Sequence, residues 1–378
     1  MELRDRPPRA ILVCPDKFRG SLSARAAAAA IARGLAAAFP RADVCQLPLA
    51  DGGEGTLDAI APTVGGRRHR LRVAGPLRRP VWAEYLLADR TAWIESAQAA
   101  GLHLVPPRRR DPGLTTTIGV GQLIEDALVR GAHYVNLFLG GTATNDGGAG
   151  MAGALGFRFF GDRPGDFIPT GNSLRWVRRI DDTQVPESVR RAHYRVLCDV
   201  DNPLTGPNGA THVFATQKGA TASDLSDLEG NMRRFAERLD TYGHRRVRDL
   251  SGGGAAGGMA AGAVALLRAE LSSGSGAVLD ALDFDRRLRA VDLVVTGEGH
   301  LDAQTARGKL IAAVAERARA ADVPTVALCG RVSLTVTQRR AVGLSAAYAL
   351  RDMPGVDEAT SMLHADRLLE QLAADLAR

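Results

Sequence analysis

Lysine is nearly missing from this chain. Of its 48 lysine and arginine residues, only Lys17, Lys218 and Lys309 are lysines. Wherever a positive charge serves solubility alone the chain uses guanidinium, so a retained ammonium is either a remnant of biased codon usage or a group that a site needs. Lysine offers a compact, rotatable point charge that can follow a moving phosphoryl group, and arginine a rigid planar fork for a static partner. All three lysines stand in short polar, glycine-bearing segments: Pro15 to Ser21, Gln217 to Gly219, and Gly308 to Lys309.

Aromatic residues are also scarce, at 5%, too few to build stacking platforms for bases. The basic clusters Arg67-Arg68, Arg78-Arg79, Arg108 to Arg110 and Arg178-Arg179 are scattered rather than aligned in one stripe. Nucleic acid is therefore not an expected partner, despite an isoelectric point near 9.5. The net charge of +6 suits small anionic ligands, through steering. Cysteine is limited to Cys14, Cys45, Cys198 and Cys329, with no paired or His-spaced pattern, which argues against a disulfide framework or a zinc site and for a reducing compartment. The first ten residues are charged and proline-rich and precede too short an apolar run for a signal peptide. No 18-residue apolar stretch follows, so no membrane partner is expected and the cytoplasm is the default location.

At 378 residues the chain exceeds the roughly 250 to 300 residues at which one hydrophobic core stops growing, so two domains are expected. The apolar runs Ile11 to Cys14, Asp43 to Leu47, Asp292 to Thr296, Pro324 to Cys329 and Ala346 to Leu350 alternate with helical segments. They predict about five parallel strands covered by helices on both faces. The middle differs. Arg68 to Val73, Val81 to Leu87 and Thr91 to Glu95 read as short antiparallel strands, followed by a helix near Thr117 to Arg130, strands at Tyr134 to Leu139 and Val196 to Cys198, and helices around Ser223 to Leu239 and up to Leu267. The expected division is 1–61 with 287–378, and 62–286 inserted between them, with the site in the cleft between the domains.

Parallel sheets bind ligands at the C-terminal ends of their strands, and Asp16, Lys17, Asp51, Glu298 and Asp302 all fall there. The run Gly140 to Gly150 follows an apolar strand and leads into a helical segment. Its amides can converge on an anion, unless its small residues only permit close packing. No Gly-Lys-Ser or Gly-Lys-Thr follows, and the dinucleotide fingerprint fits poorly, which lowers hydride chemistry. The run Gly252 to Gly258 is open to the same two readings. Asp199 and Asp201 alternate at a strand end, where they can bind Mg²⁺, accept a proton, or form a turn. The eight histidines show no triad or metal spacing. Bases, acids and glycine loops without an activated Ser, Cys or His point to phosphoryl transfer.

Taken in order, Pro15-Asp16-Lys17-Phe18-Arg19-Gly20-Ser21, Asp51-Gly52-Gly53-Glu54-Gly55-Thr56, Gly141-Thr142-Ala143-Thr144-Asn145-Asp146-Gly147-Gly148-Ala149-Gly150-Met151, Asp199-Val200-Asp201-Asn202-Pro203, Gln217-Lys218-Gly219-Ala220, Gly254 to Met259 and Thr296-Gly297-Glu298-Gly299 resemble the class I glycerate kinases from about residue 11 to about 350. The resemblance implies ATP-dependent phosphorylation of D-glycerate, usually to 2-phosphoglycerate, with Mg²⁺. It also implies a Rossmann-like parallel-sheet domain carrying an inserted α/β domain with a mixed sheet.

Both lines together assign roles. The acceptor carboxylate is held by Arg19 with Lys17 or Lys309, in a pocket shared with Asp16, Glu298, His300 and Asp302. ATP phosphates are held around Gly140, Gly141, Thr142, Thr144, Asn145, Lys218 and Gly257, and Mg²⁺ by Asp146 and Asp201. Asp199 takes the hydroxyl proton, with Asp51 and Glu298 as acids able to exchange roles with it. Arg19 stands where the family commonly has Lys, and His300 where it often has Arg, which admits a related hydroxy acid as acceptor. A metabolite-binding protein without catalysis is the alternative from another class. The assembly is expected to be a monomer or a homodimer.

Overall fold

The computed structural model describes residues 7–303 and 310–377. The chain divides into two compact units, Met1–Asp51 with Ser275–Arg378, and Gly52–Gly274. Both divisions fall earlier than the sequence suggests, for local reasons. The helix Thr56–Val64 caps strands of the continuous unit, and its Leu57 amide donates to Glu95 at 2.7 Å. At the other boundary the Arg317 side chain donates to the Gly276 carbonyl and to Asp280, which holds the segment after Ser275 in the discontinuous unit.

The discontinuous unit is built on a five-stranded sheet in the order Ala346–Ala349, Thr325–Cys329, Leu293–Thr296, Ala10–Val13, Asp43–Gln46. All four pairings are parallel. The three inner strands are near-continuously apolar because both their faces are buried, whereas the edge strand Asp43–Gln46 is largely exposed. Ile11, Val13, Leu293, Val295, Val326 and Leu328 face one core with the helices Ala24–Ala38 and Ala365–Ala374, and Ala327 and Cys329 face a second core with Ile311 and Leu344.

The helix Ala24–Ala38 forms because eleven of its fifteen residues are alanine or leucine, and Ser23 caps it by accepting from the Ala26 amide. Its Gly34 lies against the chain of the helix Ala365–Ala374, where an added Cβ would stand 2.0 Å from the Glu370 carbonyl oxygen.

The continuous unit has a six-stranded mixed sheet in the order Glu270–Ser272, His193–Leu197, Tyr134–Phe138, Thr91–Glu95, Pro80–Ala88, Arg67–Ala74. The first four run parallel and the last two pair antiparallel, as the Gly-Pro and Asp-Arg turns suggest. A small antiparallel sheet of Arg158–Phe160, Asp166–Phe167 and Arg179–Asp181 has no counterpart in the sequence reading. Strands of two or three residues are too short to show a period. Among the described residues no helix is long and apolar enough to cross a membrane.

Replacing Gly34 by valine is expected to destabilise the fold by about 1–3 kcal/mol or more, as overpacking against an immovable backbone does. Scanning calorimetry should show the lowered midpoint.

Candidate active site

In the discontinuous unit the site grows out of the strand Ala10–Val13. Beyond it the chain stays tied to its neighbours: the Cys14 amide donates to Val295, the Asp16 amide to Gly297, and the Leu49 amide to Pro15. Three strand ends therefore bring Asp16, Lys17, Asp51 and Glu298 to one cavity of about 390 Å³. Arg19, His300 and Asp302 line it as well. Seven residues singled out from separate stretches of sequence thus meet here, while Lys309 lies outside the described residues.

Charge organises the cavity. The Lys17 ammonium meets one Asp51 oxygen at 3.1 Å, and the Arg19 guanidinium meets the other at 3.4 Å. Asp16 is buried, and one of its oxygens accepts from the Lys17 backbone amide at 2.7 Å. Burial, and then the negative charge of Asp51, push the Asp16 carboxyl up to about 6, against the opposing pull of Lys17. His300 is fixed by a 2.7 Å hydrogen bond between Nε2 and Ser333 Oγ, with Asp302 3.9 Å from its Nδ1.

Arg331, Arg351 and Glu358 also line the cavity, and sequence reasoning missed them. Arg331 and Arg351 each follow an apolar strand, Thr325–Cys329 and Ala346–Ala349, but nothing local sets them apart from the many other arginines. Arg351 is paired with Glu358 at 2.9 Å.

In the continuous unit the run after the strand Tyr134–Phe138 is folded around Asp146. This carboxylate is fully buried and accepts from the Thr117 amide and hydroxyl at 2.8 and 2.9 Å and from the amides of Gly148 and Gly150 at 3.1 and 3.2 Å. Burial raises its pKa, and those hydrogen bonds oppose the rise. With both oxygens committed to protein donors, Asp146 is better fitted to shaping the loop than to holding the metal expected of it.

The second glycine run packs on the first. Gly257 accepts from the Gly147 amide at 3.0 Å, and a Cβ on Gly257 would lie 2.0 Å from the Thr144 oxygen. Lys218 is buried and donates to that same Thr144 oxygen at 2.7 Å; desolvation pulls its pKa down to about 8, partly offset by Asp146. Asn145 is buried, its amide nitrogen donating to Thr211 Oγ1 at 3.3 Å.

Close packing and anion binding divide this run between them. The amides of Ala143, Gly147, Gly148, Ala149 and Gly150 all take protein acceptors. Those of Gly140 and Gly141, half-buried and exposed, have none among the described residues, and Thr142 follows them directly. Asp199 is half-buried and accepts from Ser273 Oγ at 2.8 Å, while Asp201 is exposed.

No group of three or more His, Cys, Asp or Glu side chains able to hold a metal occurs among the described residues. Mg²⁺ bound beside phosphates needs only one or two protein carboxylates, and the strand-end carboxylates Asp199, half-buried, and Asp201, exposed, fit that requirement.

Comparison with known proteins places these features in context. The model of the glycerate kinase family matches residues 11–378. A glycerate kinase of Bacillus subtilis (strain 168) is 43% identical over 97% of this chain and 96% of its own length. The glycerate 2-kinase of Escherichia coli (strain K12) is 40% identical over 92% of both chains. A crystal structure from Salmonella typhimurium LT2, of a chain provisionally named glycerate kinase 2, superposes with a TM-score of 0.82 at 39% identity, covering 97% of each chain.

The raised Asp16 pKa carries a stability consequence. In the unfolded chain the carboxyl titrates near 4 and in the fold near 6, so the folded state binds the proton more tightly. The ionised group costs stability above pH 6, and that cost fades as pH falls from 6 to 4. Asp16→Asn should therefore raise the thermal midpoint at pH 8, with the gain shrinking towards pH 4. A uniform loss at both pH values would contradict this assignment.

Proposed function

The chain belongs to the glycerate kinase family, and from that premise we propose that it transfers the γ-phosphoryl group of ATP to the 2-hydroxyl of D-glycerate, giving 2-phosphoglycerate and ADP in the cytoplasm. The observation that carries the reading is the cavity in which Asp16, its carboxyl raised to about 6, stands beside the Lys17–Asp51 pair. Phosphoryl transfer asks a protein mainly to position groups and neutralise charge. A hydroxyl acceptor also needs somewhere to leave its proton.

Asp16 is the proton acceptor in this proposal. A general base works best when its pKa lies near the operating pH, and burial beside Asp51 gives Asp16 that property. Asp51 fixes the Lys17 ammonium, which neutralises charge on the phosphoryl group in transit. Arg19, on the other oxygen of Asp51, keeps that carboxylate from drawing Lys17 away from the substrate. Glu298, His300 and Asp302 shape the acceptor pocket.

The Gly140 and Gly141 amides, with Thr142, hold nucleotide phosphates, and Thr144, Asn145, Lys218 and Gly257 hold the loop that presents them. Asp199 and Asp201 are the residues that would hold Mg²⁺, which when bound would supply charge neutralisation for the nucleotide phosphates. Asp199 is thereby moved from base to metal holder.

A coupled ADP-release assay with D-glycerate, followed by ³¹P NMR of the product, tests the reading. A 2-phosphoglycerate resonance supports it. Turnover only with another hydroxy acid would change the acceptor, and binding without ADP formation would make the chain a metabolite-binding protein. Asp16→Asn should lower kcat by about 10²- to 10⁴-fold. It should also abolish an acid limb near pH 6 in the wild-type profile, whereas a matching loss in Asp199→Asn alone would return the base to Asp199. Gly257→Ala, which drives a methyl into the Thr144 carbonyl, should raise KM for ATP on the order of tenfold to a hundredfold, with KM for D-glycerate unchanged.

A further inference from the structure

Among the described residues, the cavity in the discontinuous unit has more acid than base. Lys17, Arg19, Arg331 and Arg351 face Asp16, Asp51, Glu298, Asp302 and Glu358. An acceptor that carries its own carboxylate enters this field only if one cation is free to receive it. Lys17 and Arg19 are both engaged by Asp51, and Arg351 by Glu358. Arg331 differs. Its backbone amide donates to Gly299 at 3.0 Å, but its guanidinium makes no ion pair or hydrogen bond among the described residues.

Its direction is set by the backbone. Arg331–Val332 pairs in parallel with His300–Leu301, with His300 opposite Arg331 and Leu301 opposite Val332. Successive side chains on a strand point to opposite faces. Leu301 is buried in the core with Val332 packed against it, so His300 and Arg331 share the other face, and both line the cavity. Gly330 makes the close approach possible, since a Cβ there would stand 2.5 Å from the Gly299 oxygen. His300 is already tied to Ser333 at 2.7 Å, which leaves the guanidinium as the available group of the two.

We propose that Arg331 is the specificity-determining residue for the acceptor, receiving its carboxylate through the planar two-donor edge of the guanidinium. The inference rests on the reading of the cavity as the acceptor site and names the group that selects an acid over a neutral polyol. It also reassigns the carboxylate-holding role expected of Arg19, whose partner is Asp51.

Steady-state kinetics of Arg331→Ala and Arg331→Lys with D-glycerate and with glycerol, its carboxylate-free counterpart, provide the test. KM for D-glycerate should rise about 10- to 100-fold in Arg331→Ala, the range for losing a hydrogen bond to a charged group. KM for ATP and the activity on glycerol should stay unchanged, and Arg331→Lys should recover part of the loss. A KM for D-glycerate within twofold of wild type, or an equal loss on both acceptors, overturns the proposal. If the wild type forms no ADP with D-glycerate, the functional reading fails by itself, and calorimetric titration of D-glycerate decides the role of Arg331. Wild-type affinity retained in Arg331→Ala, or no binding to the wild type at all, overturns it; binding lost only in the variant upholds it.

Discussion

The cavity of the discontinuous unit depends on the strand Ala10–Val13 having a parallel neighbour on each side, Leu293–Thr296 and Asp43–Gln46. Pairing does not stop where the strands do. The amides of Cys14 and Asp16 continue it towards Val295 and Gly297, those of Leu47 and Leu49 towards Val13 and Pro15, and the Thr296 hydroxyl donates to the Cys14 carbonyl. Gly297 is required at this seam, because a Cβ would lie 2.1 Å from the Leu328 oxygen. Three loops leave the sheet already in register, so the side chains they carry are placed by backbone hydrogen bonds rather than by attraction to one another.

Such placement explains how so many acids come to share one small space. Left to their own interactions, Asp16 and Asp51 would move apart; the sheet holds them together, and burial first, then the Asp51 charge, raises the pKa of Asp16. Two cations on Asp51 offset part of that rise. A fold stabilised elsewhere, by apolar strands buried on both faces, can carry a strained carboxylate, and that carboxylate is the kind of group proton abstraction needs.

Much of this was legible in the sequence because strand ends are. A short apolar run closed by glycine and an acid can be recognised without knowing its partners, and that rule located Asp16, Lys17, Asp51, Glu298 and Asp302. The same rule misled at Asp146. Glycines on both sides suggest an open loop, but Thr117, distant in sequence, and the returning amides of Gly148 and Gly150 enclose the carboxylate. Enclosure by residues from elsewhere leaves no local mark. Arg331 and Arg351 escaped for the opposite reason: in a chain whose 48 basic residues are nearly all arginine, an arginine at a strand end carries no contrast.

The scarcity of lysine marks something other than mobility. At Lys218 the buried site offers, among the described residues, a single acceptor, the Thr144 carbonyl. An ammonium there can lose charge as its pKa falls, whereas a guanidinium would keep its charge and bring five donors, most of them unsatisfied, at a cost of about 1–3 kcal/mol for each buried group left without a partner. At Lys17 the constraint is the sharing of one carboxylate. Asp51 serves two cations, one on each oxygen, and a second bidentate fork would claim both oxygens and displace Arg19. In both places lysine is kept because the surroundings can satisfy a point charge but not a fork. Arginine stands instead on the cavity wall, as Arg331 and Arg351.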